Sequence, residues 1–436
     1  MQQKDPKSII DLGAMSSGQW LAVLVTVGLN AMDGFDVLSI SFASPGIAKD
    51  WGLAKDTLGW VLSMELIGMA LGSVLLGGVA DKIGRRPTIL GCLLAMSVGM
   101  FGASRAGGVA TLLIWRLLTG VGIGGMLASI NAAAAELSNQ RWRSLAVSLM
   151  VIGYPVGGVI GGTIVQRLLA GGTWHDVFIF GGWVTASFIP IVWFLLPESV
   201  AFLDRQRKPG ALDVINRILT RFGHESMAAL TPDTAASARR SIMDIFKPGL
   251  IAATLLITLG YFAHVVSFYF IIKWVPQLVV DMGFAPKAAA GVLTWANVGG
   301  ATGVVLFGLI ATRIGLKALT LVMLLGSSAM VVWFGRGSHD LASLSSTVAI
   351  AGVFTNSAIG GYYMLFARVF PTHVRATGTG FAVGVGRGGA LLAPVIAGYL
   401  LQAGFGLQAV AAIMALGSLS SAAALLALKV QATDSA

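Results

Sequence analysis

Gly77-Gly-Val-Ala-Asp81-Lys82-Ile83-Gly84-Arg85-Arg86 is a charged connection between two apolar runs, and the chain carries it twice. Gly308-Leu-Ile-Ala-Thr312-Arg313-Ile314-Gly315-Leu316-Lys317 aligns with it without a gap at an offset of 231 residues. A second pair agrees at nearly the same spacing, since Arg143 opens one apolar run and Arg375 opens another. Two repeated halves with apolar runs on both sides of such a connection are the pattern of membrane carriers, whose solute site lies between the repeats near the bilayer midplane.

The composition around these loops supports that reading. Of 436 residues, 56% are apolar and 11% charged, and the mean hydropathy is +0.82. Ordinary soluble domains carry about 25% charged residues, so a soluble enzyme, a secreted scaffold and a disordered chain are excluded. The 57 glycines suit helices whose backbones approach closely in a membrane. One cysteine, Cys92, lies inside an apolar run, which leaves no disulfide or thiolate metal cluster. No metal and no cofactor are expected. The polar N-terminus with Lys4 and Lys7 lacks the short apolar core and cleavage site of a signal peptide.

Apolar runs long enough to cross a bilayer fall at roughly 19–43, 57–80, 87–104, 109–134, 144–167, 175–196, 249–273, 288–311, 316–335, 342–366, 376–400 and 405–428. Twelve spans alternate in direction. Twenty of the 29 Lys and Arg residues then lie on one side, six on the other, and Arg116, Lys273 and Arg387 within or at the edge of spans. This bias places the basic side and both termini in the cytoplasm. The expected fold is an all-α membrane protein of twelve transmembrane helices in two six-helix halves, 1–198 and 249–436. A basic cytoplasmic loop, 199–248, joins them, with Arg205, Arg207, Lys208, Arg239 and Arg240 near the anionic leaflet. The net charge of +10 therefore sets orientation and does not call for nucleic acid. The lipid bilayer is the expected partner, and nothing demands more than a monomer.

Ionisable groups inside spans carry the functional information. Asp33, Asp36, Glu65, Arg116 and Arg387 left unpaired would together cost on the order of 12–18 kcal/mol, comparable with the stability of a whole domain. They are expected to face one another or a water-filled cavity. Asp33 and Asp36 share a helical face, and two adjacent carboxylates do not readily carry two charges together, which suits a proton carrier. Gly34 between them lets a neighbouring backbone approach. Glu65 is a further proton-relay candidate. Arg387 offers a two-donor fork matched to a carboxylate, either a substrate's or that of Asp33 and Asp36. Arg116 can serve either role. Tyr261, His264 and Phe268 fall on one face of the seventh span, where an aromatic wall beside a polar donor suits a flat hydroxylated ring. Lys273 is expected to snorkel to the interface beside Trp274. Asn297 is a candidate substrate contact, and it can equally serve, like Asn131 and Asn356, as an interhelical hydrogen bond.

The segment 77–86 resembles the signature loop of the major facilitator superfamily. Arg116 with Gly120, Gly122 and Gly124 is similar to that superfamily's fourth-span pattern, and Pro197-Glu198-Ser199 to its end-of-span-six motif. Asp33-Gly34-Phe35-Asp36, with Arg375-Ala376-Thr377-Gly378, Gly386-Arg387-Gly388-Gly389 and Pro394, resembles the aromatic acid:proton symporters, bacterial inner-membrane carriers of benzoate-type acids. The resemblance implies a proton-coupled importer working by alternating access, with the two aspartates required for transport. In such a carrier Asp81, Gly84, Arg85, Arg86, Glu136, Arg143 and Arg375 form a gate that makes and breaks ion pairs. Asp81 is expected to pair with Arg141 or Arg143, and Arg85 and Arg86 to face Glu136. Thr312 stands where the first-half loop has its acid, so the second loop lacks the matching pair. The competing readings are a carrier of another organic anion, such as muconate or a dicarboxylate, and an exporter, for which Tyr154-Pro155 with Gly157, Gly158, Gly161 and Gly162 offers a slight antiporter likeness. No phosphate-binding loop, His-Glu-x2-His or Gly-x-Ser-x-Gly motif supports an enzyme.

Overall fold

A computed structural model describes residues 5–230, 242–371 and 374–428. Lys4, Arg239, Arg240 and Lys429, which enter the charge bias, lie outside the described residues. The described chain is helical. A short α1 (Pro6–Leu12) precedes six long helices: α2 (Ser17–Trp51), α3 (Lys55–Ile83), α4 (Arg85–Ala103), α5 (Val109–Glu136), α6 (Arg143–Leu168) and α7 (Trp174–Leu195). Two short helices follow, α8 (Val200–Gln206) and α9 (Ala211–Arg221). Six more long ones complete the chain: α10 (Ile251–Asp281), α11 (Pro286–Ile310), α12 (Leu316–Phe334), α13 (Leu341–Val369), α14 (Arg375–Gln402) and α15 (Leu407–Ala427). The twelve long helices are apolar enough to cross a membrane.

Contacts group the chain into two compact units. One comprises residues 1–37, 67–157 and 178–237, and the other 38–66, 158–177 and 238–436, so far as each is described. The C-terminal end of α2, the N-terminal end of α3 and the C-terminal end of α6 thus cluster with the last six spans.

The internal repeat is expressed in packing. In the first unit Gly68 and Gly72 of α3 lie against the backbone of α5, where an added Cβ would come within 2.3 Å of the Leu117 carbonyl oxygen and 2.1 Å of that of Val121. In the second unit Gly299 and Gly303 of α11, again 231 residues on, meet the Ala349 and Val353 carbonyls of α13 at 1.8 and 2.6 Å. Small residues four apart let membrane helices pack backbone to backbone. A Gly299→Ala substitution is expected to cost about 3 kcal/mol by overpacking against an immovable carbonyl. Melting in detergent checks this, with Gly308→Ala, which has open space at its Cβ, as the unaffected control.

Basic side chains close helix ends in the same repeated way, where unpaired carbonyls and the helix dipole favour cations. Arg86 donates to the Trp193 carbonyl near the end of α7. Its repeat counterpart Lys317 donates to Leu426 and Leu428 at the end of α15, at 3.1 and 2.7 Å. Arg143 Nε donates to the Ala135 carbonyl at 3.0 Å, and Arg375 Nε to that of Phe370 at 3.2 Å.

The α1 helix is a feature the polar N-terminus did not announce. Asp5 caps it by accepting from the Lys7 amide. Asn139 Nδ2 donates to the Gly13 carbonyl at 2.9 Å and the Gln140 amide to that of Asp11 at 3.1 Å, tying the segment to the α5–α6 connection. His224, after α9, packs on Gly13 and shares a 3.2 Å hydrogen bond with Gln19. Burial pushes its imidazole down, so it is neutral near pH 7. In α9 Ile215, Ile218 and Leu219 are buried, and Arg221 caps α7 through the Phe194 carbonyl at 3.2 Å.

Candidate functional site

Within the first unit, α2 carries Asp33 and Asp36 into a buried setting. Both are buried, and the Thr185 hydroxyl of α7 donates to Asp36 Oδ2 at 3.2 Å. Arg116 of α5 is also fully buried. Its guanidinium donates to the Asp36 backbone carbonyl at 3.1 Å, lies 3.1 Å from Met100 Sδ and stands over the Phe178 ring at 5.3 Å. The arrangement sets the Arg116 guanidinium of α5 against the short stretch of α2 that carries both aspartates. The close approach expected at Gly34 is made by α6, whose Tyr154 carbonyl oxygen lies 2.0 Å from the position of an added Cβ.

A second cluster lies wholly in the other unit. Arg387, on α14, is half-buried in the glycine-rich stretch 386–389. The Tyr261 ring of α10 packs on Gly386 beside it, 2.3 Å from an added Cβ. Tyr261 in turn meets Tyr362, Tyr363 and Phe366 of α13 edge-on, with ring centroids 5.5, 6.2 and 5.4 Å apart. Arg387 lies within electrostatic reach of both Tyr261 and Tyr269. Tyr269 and Tyr363 are not among the candidates the sequence singles out, since neither lies on the Tyr261–His264–Phe268 face. A guanidinium beside several phenols and ring edges can hold a carboxylate on a flat ring.

Other candidates on α10 and α11 have different surroundings. His264 shares Tyr362 with Tyr261, its ring stacked on the Tyr362 ring at 6.5 Å. Both its ring nitrogens are engaged, with Ser418 Oγ at 2.9 Å and the Thr355 carbonyl at 3.0 Å, which makes it a buried strut between α10, α13 and α15. Phe268 is half-buried and stacks edge-on with Tyr269 at 5.2 Å. Asn297 bonds the Leu293 carbonyl of its own helix at 2.9 Å, and its Oδ1 faces Gly158 of α6. Asn131 and Asn356 likewise bond carbonyls four residues back. Lys273 corrects an expectation: it does not snorkel. It is 0% exposed and stands 3.6 Å from Glu65, itself 0% exposed. A helical wheel cannot show that an acid from another span meets this lysine.

The loop 77–86 forms a third cluster. Arg85 pairs with Asp81 at 2.6 Å and with Glu136 at 3.5 Å. The expected partners of Asp81, Arg141 and Arg143, are elsewhere: Arg141 stands over the Trp142 ring, and Arg143 pairs with Asp11. The cause is α1, which delivers a carboxylate to the start of α6. Arg86 does not reach Glu136 but caps α7 and lies 5.1 Å over the Trp193 ring. Glu198 organises the turn, accepting from the amides of Arg85 at 2.9 Å, Arg86 at 3.2 Å and Ser199 at 2.9 Å. Burial pushes its carboxyl up, against the pull of those three donors. Gly84 has φ of +111°, and an added Cβ would lie 2.2 Å from Glu198 Oε2. Glu198→Ala is expected to cost about 1–2 kcal/mol as a lost cap, and Gly84→Ala more, because strain and collision add; detergent melting ranks the two.

Residues 25–334 match the Major Facilitator Superfamily. The gallate transporter of Pseudomonas putida is 29% identical over 97% of this chain and 94% of its own length. The 3-(3-hydroxy-phenyl)propionate transporter of Escherichia coli K12 is 30% identical over 91% and 92%. The 4-hydroxybenzoate transporter PcaK of Acinetobacter baylyi is 29% identical over 91% and 88%. Among solved structures, the partially occluded inward open xylose transporter XylE of E. coli superposes with a TM-score of 0.73 at 15% identity, covering 97% of this chain and 100% of that one. That likeness is one of fold. Twelve spans and full-length bacterial carrier relatives mark a multi-pass inner-membrane transporter, not an enzyme. The chain belongs to the Major Facilitator Superfamily.

Proposed function

We propose that this protein is a proton-coupled importer of aromatic carboxylates of the hydroxybenzoate type. The observation that carries the reading is Arg387 set beside Tyr261 and Tyr269 on the glycine-rich face of α14. It is supported by relatives named for gallate, 4-hydroxybenzoate and 3-(3-hydroxy-phenyl)propionate, each a hydroxylated ring with a carboxylate. Arg387 binds the carboxylate by its two-donor fork, and the tyrosines flank the ring. Arg116 is fully buried and donates to the α2 backbone, so its part is to hold Asp36 in place. Asp33 and Asp36 take the proton.

The cycle is alternating access. The halves 1–198 and 249–436 rock about the connection 199–248, with the 77–86 loop on the cytoplasmic side. The pairs of Arg85 with Asp81 and Glu136 belong to the gate there. The working unit in this reading is a monomer. Uptake of labelled 4-hydroxybenzoate into proteoliposomes, with gallate and benzoate as competitors, tests the reading. Accumulation that requires an acidic exterior is expected. Uptake of no aromatic acid overturns it, and transport driven only outward makes the protein an exporter.

A further inference from the structure

Two ion pairs join the same two helices, α3 from the first six spans and α10 from the last six, and both lie within one compact unit. Lys55 at the start of α3 pairs with Asp281 at the end of α10 at 2.5 Å, partly exposed. Ten residues further along α3 and eight back along α10, Glu65 meets Lys273 at 3.6 Å with both side chains fully buried. At 1.5 Å per residue the second pair lies about 12–15 Å deeper along the helices than the first. Between them α3 is already fastened to α14: the Ser63 hydroxyl donates to the Leu391 carbonyl at 2.8 Å, and Gly59 and Gly398 admit close backbone contact.

The deep pair is therefore not the sole tie on this end of α3, which Lys55–Asp281 already joins to α10 and Ser63 to α14. A buried ion pair is a weak source of stability, because desolvation offsets its attraction. Its position is informative instead. Tyr269, one helical turn from Lys273 on α10, lies within electrostatic reach of both Glu65 and Arg387. The groups that face Glu65 include Lys273 and Tyr269 on α10, Tyr269 being also within reach of Arg387 on α14, and Lys55 and Asp281 pair at the helix ends.

We propose that Lys273 is a second cationic ligand for the substrate carboxylate, and that Glu65 is the internal carboxylate occupying it when substrate is absent. The inference rests on the aromatic-carboxylate reading above. When α3 moves off α10, Glu65 and Lys273 must part, and two bare charges inside the membrane are costly. A proton from the aqueous side binds the Glu65 carboxylate, and the substrate carboxylate takes its place on the Lys273 ammonium. The net charge of the site is zero before and after. Each anion bound at Lys273 thereby brings one proton to Glu65, the same single proton whose uptake and release for accumulation require Asp33 and Asp36.

Equilibrium binding of 4-hydroxybenzoate to the purified full-length protein, with melting temperature as the folding control, tests this at pH 5.5 and 8. Glu65→Gln, which removes the internal competitor, is expected to bind about tenfold tighter than wild type at pH 8. Glu65→Gln with Lys273→Met removes both charges, so it leaves no buried charge uncompensated. It is expected to melt like wild type yet bind about 30-fold or more weakly than wild type at pH 5.5 and than Glu65→Gln at pH 8. Binding by the double variant equal to wild type at pH 5.5 overturns the proposal, and so does a Glu65→Gln affinity unchanged at pH 8. Should either variant fail to fold, the other comparison decides. Failure of wild type to bind any aromatic carboxylate sinks the substrate reading and this proposal together.

Discussion

Asp36→Asn is expected to leave the protein folded and able to exchange substrate, and to abolish accumulation against a gradient. Asparagine has the shape of aspartate and can still accept from the Thr185 hydroxyl, which holds Asp36 Oδ2 at 3.2 Å. The Arg116 bond to the Asp36 carbonyl involves the backbone and survives as well. What the amide cannot do is take up and release a proton. A charge at mid-span costs about 2.5–3.5 kcal/mol, so a carboxyl kept there without a charge-changing role would be a poor choice for packing alone. With one proton per anion, equilibrium accumulation is about tenfold for each unit of pH gradient, which makes a two-unit gradient worth about a hundredfold. Proteoliposomes with wild-type protein should approach that ratio, and those with Asp36→Asn should stay near one. Counterflow of labelled against unlabelled 4-hydroxybenzoate at equal pH should persist in both. A variant that still concentrates substrate on the pH gradient removes Asp36 from the coupling step, whereas a variant silent in counterflow as well marks it as structural.

The architecture was legible because a membrane imposes two loud signals, apolar length and charge asymmetry, and this chain repeats its own punctuation. Gly77–Arg86 and Gly308–Lys317 name the same connection, and Arg86 and Lys317 do the same work at the ends of α7 and α15. The glycine pairs Gly68/Gly72 and Gly299/Gly303 obey that repeat too, and could have been found by sliding the sequence on itself by 231 residues. Side-chain partners were less legible. Helical spacing puts Tyr261, His264 and Phe268 on one face of α10, but a helix in a bundle has neighbours at several angles. His264 and Tyr261 both stack against Tyr362 of α13, but His264 also bonds Ser418 and Thr355, while Tyr261 packs on Gly386. Nothing in the periodicity of one helix says which neighbour stands where. The same holds for Lys273 and Glu65, which are 208 positions apart in the chain. Asp11 was overlooked for a different reason: a polar seven-residue helix such as α1 has no apolar stripe to announce it, and its role depends on where Arg143 waits.

Arg387→Gln is expected to weaken binding of 4-hydroxybenzoate by at least about a hundredfold, within the 2–5 kcal/mol lost when one partner of a desolvated charge pair is removed. Arg387→Lys separates charge from geometry. Lysine keeps the cation but presents a point charge where the guanidinium presents a planar fork, so an intermediate loss of about tenfold is expected. The surrounding glycines matter to this comparison. Gly386 lies under the Tyr261 ring and Gly389 faces the Phe262 carbonyl, so α14 approaches α10 closely on either side of Arg387 and its backbone is held in register. A side-chain change at Arg387 should therefore not unseat the helix, and melting should stay near wild type. The decisive readout is selectivity. If the guanidinium holds the carboxylate, a ring alcohol lacking that group should compete equally poorly for wild type and for Arg387→Gln. Carboxylates should lose affinity in proportion to the charge and fork removed. Equal weakening for acid and alcohol would mean that Arg387 shapes the pocket rather than reads the anion, and the carboxylate would then have to be held by another cation of the same unit, for which Lys273 is the buried candidate on α10.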